Sequence, residues 1–306
     1  MIIHDPLTTD AVLAAFDEHL RRTRGVCPEV RHTYVRFVRA FLEQVFEGGP
    51  VDPARICVRD IVEFVSSLTV RYSPPTVQLV ATSLRSFFRF LRAQGWRDDR
   101  IEEAVPKVPR RRLTSVPRHL DSGQFAALIA SLDGSSPRAL RDKAILLCAA
   151  RLGLRASEVA RLGLDDIDWR NGTVHIRTRK TGHGAILPLP GDLGAALATY
   201  LRHGRPATSA RQVFVLHHMR VGAPIDRHVV GDAVRRALRH ARICAPMRGA
   251  NLLRHSLATD LLSHEATLKE IADLFGHGSL ATTGIYAKVN VVALREVALP
   301  WPQAKP

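Results

Sequence analysis

Leu274-Phe-Gly-His277-Gly-Ser-Leu-Ala-Thr-Thr-Gly-Ile-Tyr286 closes a stretch that opens with Asn251-Leu-Leu-Arg254-His255, and Gly153-Leu-Arg155-Ala-Ser-Glu158 lies upstream of both. With Lys180, these segments supply two arginines, a histidine, a lysine and a tyrosine. That set suits cleavage of a phosphodiester without a metal ion. A phosphodiester repels nucleophiles, and its pentavalent transition state gains negative charge, so preorganised cations lower the barrier. Arginine serves because its charge does not titrate and its planar fork grips two oxygens. Arg155 follows a Gly-Leu turn at a predicted helix start, where free backbone amides also favour an anion. Arg254 sits early in a second predicted helix. Either arginine alone reads equally as a surface charge; the combination is what points to chemistry.

Tyr286 is the candidate nucleophile. An unperturbed phenol has a pKa near ~10, so only about one in a thousand is ionised at neutral pH, and neighbouring cations favour the phenolate. Its attack on phosphorus would leave a 3′-phosphotyrosyl link and a free 5′-hydroxyl. His277 precedes Tyr286 by nine positions in a Gly-His-Gly turn that presents its imidazole to the same phosphate. Lys180, within Lys180-Thr-Gly-His-Gly184, is placed at the tip of a hairpin, from which it would protonate the departing hydroxyl. An ordinary exposed turn lysine is the alternative for it.

Working outward, the second half restarts with a helix at Asp121, an N-cap that Gln124 completes as a capping box. Leu140 to Leu152 reads as an apolar helix ending at Gly153, followed by a short helix from Arg155 to Leu162. Thr173–Thr178 and Ala185–Leu189 alternate with a period of two, as strands of a hairpin do. Helices resume near Leu193–His203, Arg227–Ala241, Leu252–Ser263, Leu268–Phe275 and Ala281–Tyr286. Asp165, Asp166 and Asp168 read as a turn before a strand rather than a metal cluster, and His217-His218 lacks partners for a metal.

The first hundred residues read as a small helical bundle. Helices are expected over Thr9–Arg24, ending at Gly25, from Pro28 with Val30, Tyr34, Phe37, Val38, Phe41 and Val45 on one spacing, over Val58–Leu68, and from Ser73-Pro-Pro to Gln94. In the last, Leu84, Phe87, Phe88 and Leu91 form the apolar stripe. Arg85, Arg89 and Arg92 share another face, which either follows a DNA backbone or is simply solvated. Residues 105–118 form an extended connector, with prolines 106, 109 and 117 blocking helix. Its Arg110, Arg111 and Arg112 either bind phosphates or belong to a plain tether.

Composition agrees with a polyanionic partner. The 306-residue chain carries a formal charge of +15 and a pI of about 10.7, which fits nucleic acid. Residues 1–104 hold 14 basic and 14 acidic side chains, so the excess lies on the connector and on the second half. A hydrophobic content of 46% supports folding. No apolar run approaches the ~20 residues of a membrane span, and the opening residues do not read as a secretory signal. The four scattered cysteines lack metal spacing and read as buried or incidental thiols of a reducing compartment. A cytoplasmic, nucleoid-associated protein is expected.

These motifs resemble those of the tyrosine recombinase (phage integrase) family over nearly the whole chain. Gly-Leu-Arg155-Ala-Ser-Glu158 resembles its first arginine box, Lys180 its hairpin lysine, Leu-Leu-Arg254-His-Ser its second arginine box, and Leu-Phe-Gly-His277 through Ile-Tyr286 its last. The resemblance implies a mainly α fold: an N-terminal helical core-binding (SAM-like) bundle over 1–104, a basic linker over 105–118, and a mostly helical catalytic domain with a small antiparallel sheet over 119–306. It implies a clamp around double-stranded DNA recombination sites, four protomers synapsing two duplexes, a free protein that is a monomer or dimer, and no metal or ATP. Glu158 is assigned to orienting the arginine helix. The family's second arginine box carries histidine where this chain has Asn251, an amide that donates hydrogen bonds but exchanges no proton. A source in a mobile element is expected. A catalytically impaired DNA-binding homologue and a type IB topoisomerase-like enzyme are the alternatives. The apolar tail after Tyr286 packs either on a neighbouring protomer or on its own domain.

Overall fold

The structure is a computed structural model; it describes residues 7–108, 119–132, 134–177, 184–245, 249–276 and 283. The chain divides into two compact units, residues 1–112 and 113–306.

In the first unit, four helices surround an aromatic core. They are α1 (Thr9–Arg24), α2 (Pro28–Phe46), α3 (Val58–Arg71) and α4 (Pro74–Ala93). Local chemistry sets their ends. The Thr8 hydroxyl accepts from the Ala11 amide at 3.2 Å, and Gly25 adopts the left-handed conformation (φ +54°) that closes α1. Proline opens both α2 and α4, where its missing N–H costs nothing. The expected stripe of α4 is buried, and Val77, Val80, Ala81 and Phe90 are buried with it. The helix is therefore enclosed round much of its circumference. Phe16 meets Phe87 edge-on at 5.4 Å and Phe41 meets Phe88 at 5.8 Å, geometries that aromatic quadrupoles favour.

The second unit is built on α6 (Pro137–Arg151), whose residues from Ala144 to Ala150 are all buried. Packed around it are α5 (Ser122–Ala130), α7 (Ala156–Arg161), α8 (Gly191–Thr199), α9 (Arg227–His240) and α10 (Ala250–Ser263). The last described helix, α11 (Leu268–Phe275), packs on α10 through Ala258, Leu262, Ile271 and Phe275. The capping box at Asp121 forms as expected: its carboxylate accepts the Gln124 amide at 2.7 Å.

A three-stranded antiparallel sheet follows α7, in the order β1 (Ile167–Asp168), β2 (Thr173–Ile176), β3 (Ala185–Pro188). Val174 pairs with Leu187, and both are buried, whereas Ile186 on the other face is exposed. The sheet thus covers the helical core with one side only.

Several boundaries differ from expectation. Helix α6 starts three residues early, because the Ser136 hydroxyl accepts the Ala139 amide and Pro137 occupies the first turn. Strand β1 was not foreseen; Asp168 accepts the Arg170 and Asn171 amides at 3.0 and 2.9 Å, turning β1 directly into β2. The helix expected to reach His203 is regular only to Thr199 and continues as one wide π turn over Tyr200–Gly204. The helix expected near Ala281–Tyr286 lies outside the described residues apart from Thr283, which is helical and buried.

Candidate active site

The site begins where α6 ends. Leu152 closes the helix, and Gly153 turns with φ +61°. Arg155 is then the N-cap of α7. Glu158, 7% exposed, holds it twice: one carboxylate oxygen accepts the Arg155 amide at 2.9 Å and the other accepts its Nη1 at 2.7 Å. The carboxylate closes the capping box and fixes the guanidinium together.

Arg254 reaches the same place from α10. It is 5% exposed, so its charge depends on the groups around it. Its Nη1 donates to the Gly153 carbonyl, and its Nη2 donates to the Phe275 carbonyl at 2.8 Å. The Phe275 ring lies under it, with the guanidinium carbon 4.0 Å from the ring centroid. Arg155 Nη1 makes a long 3.5 Å contact to that same Phe275 carbonyl. The two arginines therefore converge on one backbone oxygen, although they are 99 residues apart in sequence. That oxygen lies two residues before His277.

Asn251 is exposed on the first turn of α10, three residues before Arg254. It lines a cavity of about 280 Å³ with Ala156, Arg227, His228 and Arg235. The basic groups come from α9, whose first turn Asp226 caps by accepting the His228 and Val229 amides. This cluster was missed from sequence. Arg227 and Arg235 are eight residues apart and share a helix face, a spacing that was available but had no partner until α9 packed beside α7 and α10. His255 follows Arg254 and sits one turn beyond Asn251. Burial first, then the charges of Arg254 and His119, lower its pKa.

Lys180, His277 and Tyr286 lie outside the described residues, as do Arg110, Arg111 and Arg112. Of the α4 arginines, Arg89 is exposed. Arg85 donates to the Val105 and Pro106 carbonyls at 3.0 and 2.8 Å, and Arg92 pairs with the buried Glu102 at 2.9 Å. Those two side chains bind the segment that follows α4, a use that neither the DNA-contact nor the solvated-face reading anticipated. The two histidines set aside as metal ligands behave differently from each other. His218 is exposed, while His217 stacks on Tyr200 at 5.9 Å and lies 3.3 Å from its hydroxyl.

Comparison with known proteins decides the family. A model of the phage integrase family matches residues 118–292, and a model of the phage integrase N-terminal SAM-like domain matches residues 13–95. The chain belongs to the phage integrase family. Among this integrase's relatives, the putative integrase/recombinase y4rA of Sinorhizobium fredii is 37% identical over 98% of this chain and 73% of its own. Tyrosine recombinase XerD of Mycobacterium tuberculosis is 31% identical over 96% of this chain and 97% of its own. The crystal structure of XerH site-specific recombinase bound to palindromic difH substrate, a post-cleavage complex, has the same fold. Its TM-score is 0.71 at 18% identity, over 96% of each chain. The integrase is thus mainly α, with a SAM-like N-terminal domain, and by family it is a DNA strand-exchange enzyme.

Proposed function

We propose that this integrase is a site-specific recombinase that cleaves and rejoins double-stranded DNA through a 3′-phosphotyrosyl intermediate on Tyr286. The observation that carries the reading is the convergence of Arg155 and Arg254 on the Phe275 carbonyl, two residues before His277. Two guanidinium groups held this close can grip the non-bridging oxygens of one phosphate as charge builds on it. Arg155 is fixed by Glu158 and Arg254 by two carbonyls and a ring, so little reorganisation is needed when the phosphate arrives.

In the proposed step the Tyr286 hydroxyl oxygen bonds to phosphorus, and the bond from phosphorus to the 5′ oxygen breaks. Lys180 gives that oxygen a proton, and His277 contacts the phosphate. Asn251 donates a hydrogen bond to a phosphate oxygen but cannot take the phenol proton. The phenol proton passes instead to His255, one turn along α10, or to a water. A 5′-hydroxyl from a second duplex then reverses the step, and the phosphotyrosyl bond supplies the energy for rejoining.

Residues 1–104 are read as the core-binding domain, 105–118 as a basic linker and 119–306 as the catalytic domain. Arg85, Arg89, Arg92, Arg110, Arg111 and Arg112 are offered as phosphate contacts, joined by Arg227 and Arg235 beside Asn251. Exchange between two duplexes cuts four strands, so four protomers act in one synapse, while the free protein is a monomer or dimer. Among the described residues no helix is long and apolar enough to cross a membrane. A site of action on nucleoid DNA in the cytoplasm follows from the substrate, and the similarity to y4rA fits an origin in a mobile element. DNA affinity should fall steeply with salt.

The test is a nicked suicide duplex carrying the recombination site. The wild-type protein should form a covalent adduct that Tyr286→Phe abolishes, and Asn251→His should cleave at an equal or faster rate. An adduct that survives Tyr286→Phe would remove the mechanism. Binding of the site with no adduct from the wild-type protein would favour a catalytically impaired DNA-binding homologue.

A further inference from the structure

We infer that Phe275 is a positioning residue of this active site: its ring and its carbonyl together fix the Arg254 guanidinium and set its spacing from Arg155. The inference rests on the function proposed above and adds a residue to which the motif reading gave no role. Phe275 is 1% exposed and ends α11. Its ring centroid lies 4.0 Å from the Arg254 guanidinium carbon, within the range where an aromatic face attracts a cation, and the attraction grows when the pair is desolvated. Its carbonyl receives Arg254 Nη2 at 2.8 Å and the long contact from Arg155.

The ring also meets the turn before Arg155. A Cβ placed on Gly153 would lie 2.4 Å from Cε1 of Phe275, so the ring fills the space a side chain at 153 would need. The Gly153 carbonyl, from the same tight turn, receives Arg254 Nη1. One aromatic residue thus locks the turn that presents Arg155 against the helix that presents Arg254. Leucine would fill the neighbouring cluster of Ala258, Leu262 and Ile271 but would offer no π face to the charge.

The experiment uses the full-length protein with Phe275 replaced by 4-fluoro-, 3,5-difluoro- and 3,4,5-trifluorophenylalanine. This series keeps the shape of the ring while draining its face of electron density. Three quantities are read: the single-turnover rate of adduct formation on the nicked suicide duplex at saturating DNA, the DNA affinity, and the melting temperature. The rate should fall with each added fluorine, to about tenfold lower for the trifluoro ring, with affinity and melting unchanged. Phe275→Leu should show at least the same loss. A flat rate across the fluorinated series from a protein whose wild type forms the adduct would overturn the role of Phe275 and leave the function standing. Absence of an adduct from the wild type would overturn both.

Discussion

The N-terminal and catalytic units bury different things. In the first, seven phenylalanines (Phe16, Phe37, Phe41, Phe64, Phe87, Phe88 and Phe90) occupy the core, and Glu102, paired with Arg92, is a buried carboxylate among them. In the second, Arg141, Asp142, Glu158, Asp166 and Arg254 are all buried. Buried charge is costly unless paired and hydrogen-bonded; here Arg254 is held by two carbonyls and a ring, and the other four are paired with opposite charges. Arg141 and Arg236 share Asp142, Glu158 holds Arg155, and Asp166 accepts the Gly163 amide and Arg177. The difference matches the work proposed for each half. A binding module needs rigidity, which apolar packing supplies, whereas a site that must grip a developing charge needs cations fixed before the substrate arrives.

The comparison breaks most visibly at Gly153. Gly153→Ala adds left-handed strain and drives a methyl into the Phe275 ring. It should destabilise the catalytic unit by roughly 2–4 kcal/mol, and hydrogen exchange should show the loss in α6, α7 and α10 while α1 to α4 stay protected. Equal protection in both units would mean that the turn yields without cost.

Next in size is the Arg92–Glu102 ion pair of the N-terminal unit. Arg92→Ala leaves the Glu102 carboxylate buried without its partner and should cost roughly 1–3 kcal/mol, the range moderated because Arg92 is 38% exposed. Arg89→Ala, on the exposed face of the same helix, should change stability by less than about 0.5 kcal/mol and lower DNA affinity instead. Urea unfolding and a DNA titration of the two variants separate these effects.

These α4 arginines also show what the sequence could not display. Their common face is legible from their spacing, but their partners are not: the Val105 and Pro106 carbonyls and Glu102 reach them only after the chain reverses. The same holds in the catalytic unit. Helix starts at Thr9, Pro28 and Ser122 and the apolar stripe of α4 were readable, because caps, prolines and periodicity act locally. Strand β1 was not, since two residues carry no period and depend on the Asp168 turn. Arg155 and Arg254 were identified by motif. Their meeting at Phe275 was not, because it joins three segments distant in the chain. Lys180, His277 and Tyr286 stand on the sequence alone, being outside the described residues.

A further effect on stability concerns protons. Burial first, then repulsion from the Arg141 guanidinium, lowers the pKa of His217 from 6.5 to about 4. With the folded value below the unfolded one, the unfolded chain binds the proton more readily. The stability this group contributes is complete above pH 6.5 and is lost as pH falls toward 4. Because the ring is partly screened by solvent, the loss should be about 1 kcal/mol. Unfolding free energies of the catalytic unit from urea titrations at pH 7.5 and 5 should differ by that amount, and His217→Gln should flatten the difference. An unchanged slope in the variant would assign it to other groups.

The central claim is that Arg155 and Arg254 grip one phosphate as a unit. The direct measurement is the single-turnover cleavage rate of Arg155→Ala, Arg254→Ala and the double variant on the nicked suicide duplex. The account predicts that each single variant loses about 10²–10³-fold, and that the double variant loses scarcely more than either, as groups acting together do. Losses that multiply in the double variant would show two independent contacts and contradict the shared site.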